Sequence, residues 1–182
     1  MKKLIFLGNG SDENIVEHIL GYLNQKISFQ FYQKDILQSY GNCPSLEIFH
    51  LNQIKILDLE ETLLFLKSKA DLRLVQYVNP KTIMIINSAK EQQLKYAARL
   101  QAQVITIGLS HKDTITFSSK GEYEWVVSLQ RAIRALDGSI IEPMEIPCYF
   151  DRSYSDDYIL GFVAILLLLK QIGEGESLNL LK

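Results

Sequence analysis

The sequence predicts an α/β fold, a mostly parallel sheet covered by helices, with residues 1–182 forming a single domain. Three observations predict it. Short uninterrupted apolar runs recur at Leu4–Leu7, Thr82–Ile86 and Val104–Ile107, the form of strands buried on both faces. Segments of helical period stand between them, with capping residues at their starts. Strand, helix and strand then alternate as far as Gly108, the pattern of a parallel sheet wound with helices.

Taken in order, Leu4–Leu7 is the first strand, and Gly8-Asn9-Gly10 is a turn. Ile15, Val16, Ile19, Leu20 and Leu23 then recur at helical spacing, with Ser11 or Asp12 placed to cap the start. Ile27 to Tyr32 alternates apolar and polar residues as a strand does, and Gln33 to Pro44 has no period and reads as irregular. Leu46 to Leu57 holds one or two short strands around Asn52-Gln53. A helix is predicted from Asp58, with Glu61 as its capping-box partner.

Leu72 to Val78 is a further strand candidate, broken by Asn79-Pro80. Thr82–Ile86 is β-branched and uninterrupted. Ser88 with Glu91 reads as a second capping box, and Leu94, Ala97, Ala98 and Gln101 carry a helix through Leu100. Val104–Ile107 closes the alternation. From about 112 to 150 the pattern changes to a β-rich insertion. Thr114 to Ser118 alternates, and Lys120-Gly121 turns the chain. Tyr123 to Leu129 has period two, yet Trp125, Val126, Leu129, Ala132, Ile133 and Leu136 fit a helix equally well. Mainly strand is the reading taken. Ile140 to Ile146 is an edge strand interrupted by Pro143, and a last helix runs from about Ser155 to Ile172 and stops at Gly173.

Composition narrows the function classes. Hydrophobic residues are 47% and charged residues 22% of the chain, which excludes disorder as the main state. Nineteen basic residues against 21 acidic ones leave a net charge of −2, which argues against nucleic acid as a partner. Cys43 and Cys148 lie in no CxxC or Cys/His spacing, so neither zinc nor a redox pair is expected and a reducing, cytoplasmic location is. The apolar run before Gly8 is too short for a secretory signal. The twelve uncharged residues Tyr158 to Leu169 fall short of the ~20 that span a bilayer, so membrane insertion is not expected.

From Pro80 to Gly173 the chain resembles the central domain of the Mur ligases, ATP-dependent amide-forming enzymes of peptidoglycan synthesis, and their folylpolyglutamate synthase relatives. The resemblance is carried by Ile85-Ile86-Asn87, by Val104-Ile105-Thr106-Ile107-Gly108-Leu109, by Thr114-Ile115-Thr116-Phe117-Ser118-Ser119, and by an Ala- and Leu-rich helix matching Asp157 to Ile172. It implies a P-loop-like α/β domain. At Phe6-Leu7-Gly8-Asn9-Gly10-Ser11-Asp12-Glu13-Asn14, where the family has a glycine loop ending in Gly-Lys-Thr, Asp12 takes the lysine position and Glu13 the hydroxyl position. Two carboxylates reverse the charge that a triphosphate needs and favour the helix dipole themselves. Ser88-Ala89-Lys90 stands where the family has acidic residues, and the chain ends at Lys182, where the family continues into another domain. A degenerate domain without ATP chemistry, without cofactor and without the flanking domains is the expectation.

The residues singled out for a ligand are Gly8, Asn9, Gly10, Ser11 and Asn87. The first four end the first strand, where open α/β sheets bind small anions or nucleotide sugars, though a tight turn with a cap needs the same residue types. Asn87 is either a ligand-contacting amide or a helix-entry residue, with helix entry favoured. Asp151, Asp156 and Asp157 read as an acidic helix start rather than a metal site, and His18, His50 and His111 have no nucleophile at meaningful spacing. No catalytic or metal-binding residue is expected. The expected function is a non-catalytic, Mur-ligase-like binding or accessory protein linked to cell-wall metabolism. The alternative is a small-ligand module, for a nucleotide or nucleotide sugar, or a residual enzyme using the strand-end crevice. A homodimer or protein partner is expected through Tyr149, Phe150, Tyr154 and Tyr158 near the last helix.

Overall fold

The computed structural model describes residues 1–9, 13–122, 124–150 and 154–179. The chain divides into two units, Met1–Val104 and Ile105–Lys182. The first contains β1 (Lys2–Leu7), α1 (Glu13–Asn24), β2 (Phe29–Gln33), β3 (Ile36–Tyr40), β4 (Leu46–Leu51), β5 (Ile56–Leu57), β6 (Thr62–Leu66), β7 (Tyr77–Val78), β8 (Ile83–Asn87) and α2 (Glu91–Leu100). Next comes β9 (Gln103–Ile107), in which the boundary falls, then β10 (Ile115–Lys120), β11 (Trp125–Leu129), β12 (Ile133–Arg134), β13 (Ile140–Ile141), β14 (Met144–Tyr149), α3 (Asp156–Leu168) and β15 (Leu178–Asn179).

Strands of the first unit lie in the order β8, β6, β1, β4, β2, β3. All neighbours are parallel except the β2–β3 hairpin. The two faces of this sheet follow from period two along each strand. Ile5, Leu7, Leu64, Leu66, Met84 and Ile86 form one face and pack with Ala97 and Leu100 of α2 in a single buried cluster. Phe6, Phe31, Ile48 and Phe65 point to the other, the side of α1, where Phe6 and Phe65 meet edge to face at 5.8 Å. Helices on both faces make the predicted α/β architecture.

Several expectations are corrected. No helix opens at Asp58: Glu61 takes a left-handed turn (φ 51) and Thr62–Leu66 is a fully buried strand. The run fits both periods, and the slot between β1 and β8 decides it, because five consecutive buried side chains need cover on two faces. Ser88 caps nothing. The strand continues to Asn87, its carbonyl accepts from Lys90 N–H at 3.0 Å, and α2 starts at Glu91 with Lys90 as an N-cap lacking a side-chain bond. The segment expected to be irregular contains β3, because Lys34 accepts positive φ (47) and closes a two-residue hairpin between Gln33 and Ile36. Of Leu72 to Val78 only β7 is strand.

In the second unit the strands lie in the order β15, β14, β11, β10, β9. The segment open between helix and strand is β11, antiparallel to both β10 and β14. The edge strand predicted over Ile140 to Ile146 is two strands, β13, which pairs with β12, and β14, which is flanked by β11 and β15. Pro147 of β14 stands within the ladder to β11. Ser155 caps α3 by accepting from Tyr158 N–H at 3.3 Å, and every residue from Tyr158 to Leu168 is buried. A helix apolar all round belongs in a core. Among the described residues no helix is long and apolar enough to cross a membrane.

Candidate functional site

The parallel strands of the first unit end at one edge. Gln33, His50, Phe6, Phe65 and Ile85 are neighbours across β2, β4, β1, β6 and β8. Two residues further on, and therefore on the same face, stand Asn52, Gly8, Lys67 and Asn87. Asn52, Lys67 and Asn87 thus bring polar side chains to the strand ends, beyond Phe6 and Phe65. Gly8 and Asn87 both stand in this row, with Lys67 on the strand between them.

Gly8 has φ +102, and its N–H donates to Leu51 O at 2.8 Å. A Cβ there would stand 2.5 Å from the Cα of Ala70, so only glycine fits beneath the chain that follows β6. Asn9 forms a β-bridge with Lys69, and Lys67 N–H donates to Leu7 O at 3.0 Å. The connections leaving β1 and β6 lead to opposite sides of the sheet, which makes their junction the switch point where such folds bind ligands. Here backbone from 67 to 70 occupies it. A triphosphate needs free loop N–H groups and a magnesium-binding set. The Gly8 N–H is already used, and among the described residues no group of three or more His, Cys, Asp or Glu could hold a metal.

Lys67 is 1% exposed, and its Nζ lies 3.3 Å from His50 Nε2. An ammonium is only a donor, so a bond that Lys67 donates along this contact is accepted by Nε2 of His50. The Lys67 carbonyl accepts from Gln93 Nε2 at 3.0 Å, tying α2 to the loop. Asn87 is 8% exposed, and its Oδ1 accepts from Ala89 N–H at 2.8 Å, so its side chain builds the turn into α2. Gly10 and Ser11 lie outside the described residues, as do Asp12 and Asp151. Asp156 forms an ion pair with Lys120 at 2.6 Å.

Beside the strand ends, a groove of about 670 Å³ runs between α1 and the face of β2, β3 and β4. Asn9, one of the residues singled out from the sequence, lines it together with His50 and Asn52. Val16, Leu20 and Phe31 form its floor, and Gln33, Gln38 and Tyr40 its sheet side. The sequence reading found neither Lys67 nor the role of His50. The one available signal was a lysine directly after the run Leu63–Leu66.

No protein-family model matches the chain, and no curated protein matches it in sequence. Solved structures match in fold. MurF from Acinetobacter baumannii superposes with a TM-score of 0.57 at 8% identity, over 94% of this chain and 43% of that one. The UDP-N-acetylmuramate:L-alanyl-gamma-D-glutamyl-meso-diaminopimelate ligase from Neisseria meningitides gives 0.58 at 10%, over 92% and 61%. MurF ligase from Thermotoga maritima, solved in complex with ADP, gives 0.56 at 9%, over 95% and 46%. The fold is Mur-ligase-like, and the chain spans less than two thirds of each of these structures.

Proposed function

We propose that this protein is a non-catalytic relative of the Mur ligase central domain, acting in cell-wall metabolism as a binding or accessory protein. The observation that carries the reading is the closed switch point. Gly8 packs against Ala70, and Asn9 pairs with Lys69, where an open sheet would receive a phosphate. Asp12 and Glu13 at the lysine and hydroxyl positions add the same sign of argument, since they repel a triphosphate. A groove beside it stays open and offers a binding surface. Isothermal titration with Mg-ATP tests the reading. No heat of binding and no hydrolysis are expected, and a micromolar dissociation constant sinks it.

Association with a protein partner, a second copy included, is a further element of the reading. Phe150, Tyr154, Tyr158 and Phe162 form an aromatic ladder at the entry of α3, with Tyr154 and Tyr158 stacked at 4.5 Å. Tyr158 is buried, while Phe150 and Tyr154 stay half-exposed. Covering apolar area gains about 25 cal/mol per Å². Light scattering over a range of concentrations is the check, with Tyr154→Asp expected to weaken association. A monomer at every concentration, together with unchanged partner recovery for Tyr154→Asp, removes this element.

A further inference from the structure

We infer that the groove between α1 and β2–β4 is a binding site for a neutral, polyhydroxylated ligand of the sugar class. The inference rests on reading the chain as a binding module and adds to it the ligand's chemistry. Five carboxamides, Asn9, Asn24, Gln33, Gln38 and Asn52, line one groove of about 670 Å³, a volume within the range of small-ligand sites, roughly 300–1,000 Å³. Each carboxamide offers two donors and an acceptor, the complement of neighbouring hydroxyl groups.

Charge selects the same class. Glu17 and Lys34 in the lining carry opposite charges. The acidic and basic side chains of the lining itself therefore balance, with no excess of lysine over carboxylate to select a phosphate or carboxylate. An apolar ligand would desolvate the carboxamides without pairing them, which is unfavourable. An aromatic platform is present as well. Tyr40 stacks on Phe29 at 4.5 Å and donates its hydroxyl to Gln38 Oε1 at 3.0 Å, which fixes its ring and leaves the Gln38 NH₂ free of that bond. The apolar face of a sugar ring packs on such a surface.

A second, independent observation lies on the helix side. Gly21 stands inside α1, where glycine is unfavourable relative to alanine. It lines the groove, and a Cβ built on it meets nothing within 4 Å. Neither packing nor backbone conformation requires glycine there. The bare helix surface at Gly21 is part of the groove wall.

The test is a nitrogen-15 NMR titration of the whole chain with two neutral trisaccharides, maltotriose and chitotriose, beside Mg-ATP as a separate probe. At least one trisaccharide is expected to shift the side-chain NH₂ signals of the five carboxamides and the amides of β3. Gly21→Ala is expected to raise the melting temperature, and Gly21→Leu, which fills the groove, to weaken sugar binding at least tenfold while the protein stays folded. The inference is overturned if neither sugar moves these signals at millimolar concentration, if the shifts fall elsewhere, or if Gly21→Leu binds as tightly as the parent. Shifts at Gly8 and Asn9 with Mg-ATP would instead overturn the non-catalytic reading and leave the sugar result standing.

Discussion

The ammonium of Lys67 lies 3.3 Å from Nε2 of His50, joining the ends of β6 and β4 on the α1 side of the sheet. Between these strands runs β1, so the pair bridges the strand that carries Gly8. Because Lys67 is buried along its whole length, its methylenes pack as well as its charge. Lys67→Ala removes both, and Lys67→Met keeps most of the stem. At about 0.8 kcal/mol per buried methylene, the alanine variant is expected to be less stable than the methionine variant by about 2 kcal/mol. Urea denaturation of the two variants measures the gap, and equal stabilities would show that the stem contributes nothing.

Gly8 and Gly138 separate backbone strain from steric contact. Both have positive φ, +102 and +85, but a Cβ on Gly8 meets Ala70 at 2.5 Å while one on Gly138 meets nothing within 4 Å. Gly138→Ala should therefore cost only the conformational strain, roughly 1–2 kcal/mol. Gly8→Ala should cost clearly more, because backbone has to move. Comparing the two midpoints in urea decides it.

The two thiols should react at very different rates. Cys43 is exposed, whereas Cys148 is buried in β14 and burial pushes its thiol up to about 12. At pH 8 only roughly one Cys148 in ten thousand is thiolate, and that sulfur has no access to solvent. Iodoacetamide is expected to label Cys43 in the native protein and Cys148 only after denaturation. Mass spectrometry of the peptides reads the outcome directly, and native labelling of both would contradict the burial of β14.

Asp71 accepts from Arg73 at Nε (2.9 Å), at Nη2 (2.7 Å) and at the backbone N–H (2.9 Å), and these bonds lower its carboxyl to about 2. Its unfolded value is ~3.9. A depressed carboxyl stabilises the fold above the unfolded value, and that stabilisation is lost as pH falls from about 4 through about 2. Both groups are exposed, so the effect on stability is small and screened by salt. An NMR titration of the side chain should find the midpoint near 2, and Arg73→Ala should return it most of the way to the ordinary carboxylate range.

Legibility along the chain followed how local each decision was. Ile83–Asn87 and Gln103–Ile107 are strands within a residue of their expected places, because β-branched apolar runs have no other good conformation. The capped start of α3 at Ser155 was equally readable, since the cap and the helix it serves are adjacent. Of the candidate site, the turn at Gly8 and Asn9 and the strand end at Asn87 were visible as types of residue at the ends of apolar runs.

By itself the sequence determined the α/β class, the apolar strands that form the sheet interior and the turn chemistry at their ends, all of which follow from burial and backbone preference over a few residues. Tertiary structure alone decided that Thr62–Leu66 is a strand rather than a helix, because its run satisfies both periods until β1 and β8 flank it. It also brought Ala70 onto Gly8, Lys67 onto His50, and carboxamides from α1, β2, β3 and the end of β4 around one groove. Those contacts join residues far apart in the chain, and their energy exists only once the sheet has set their register.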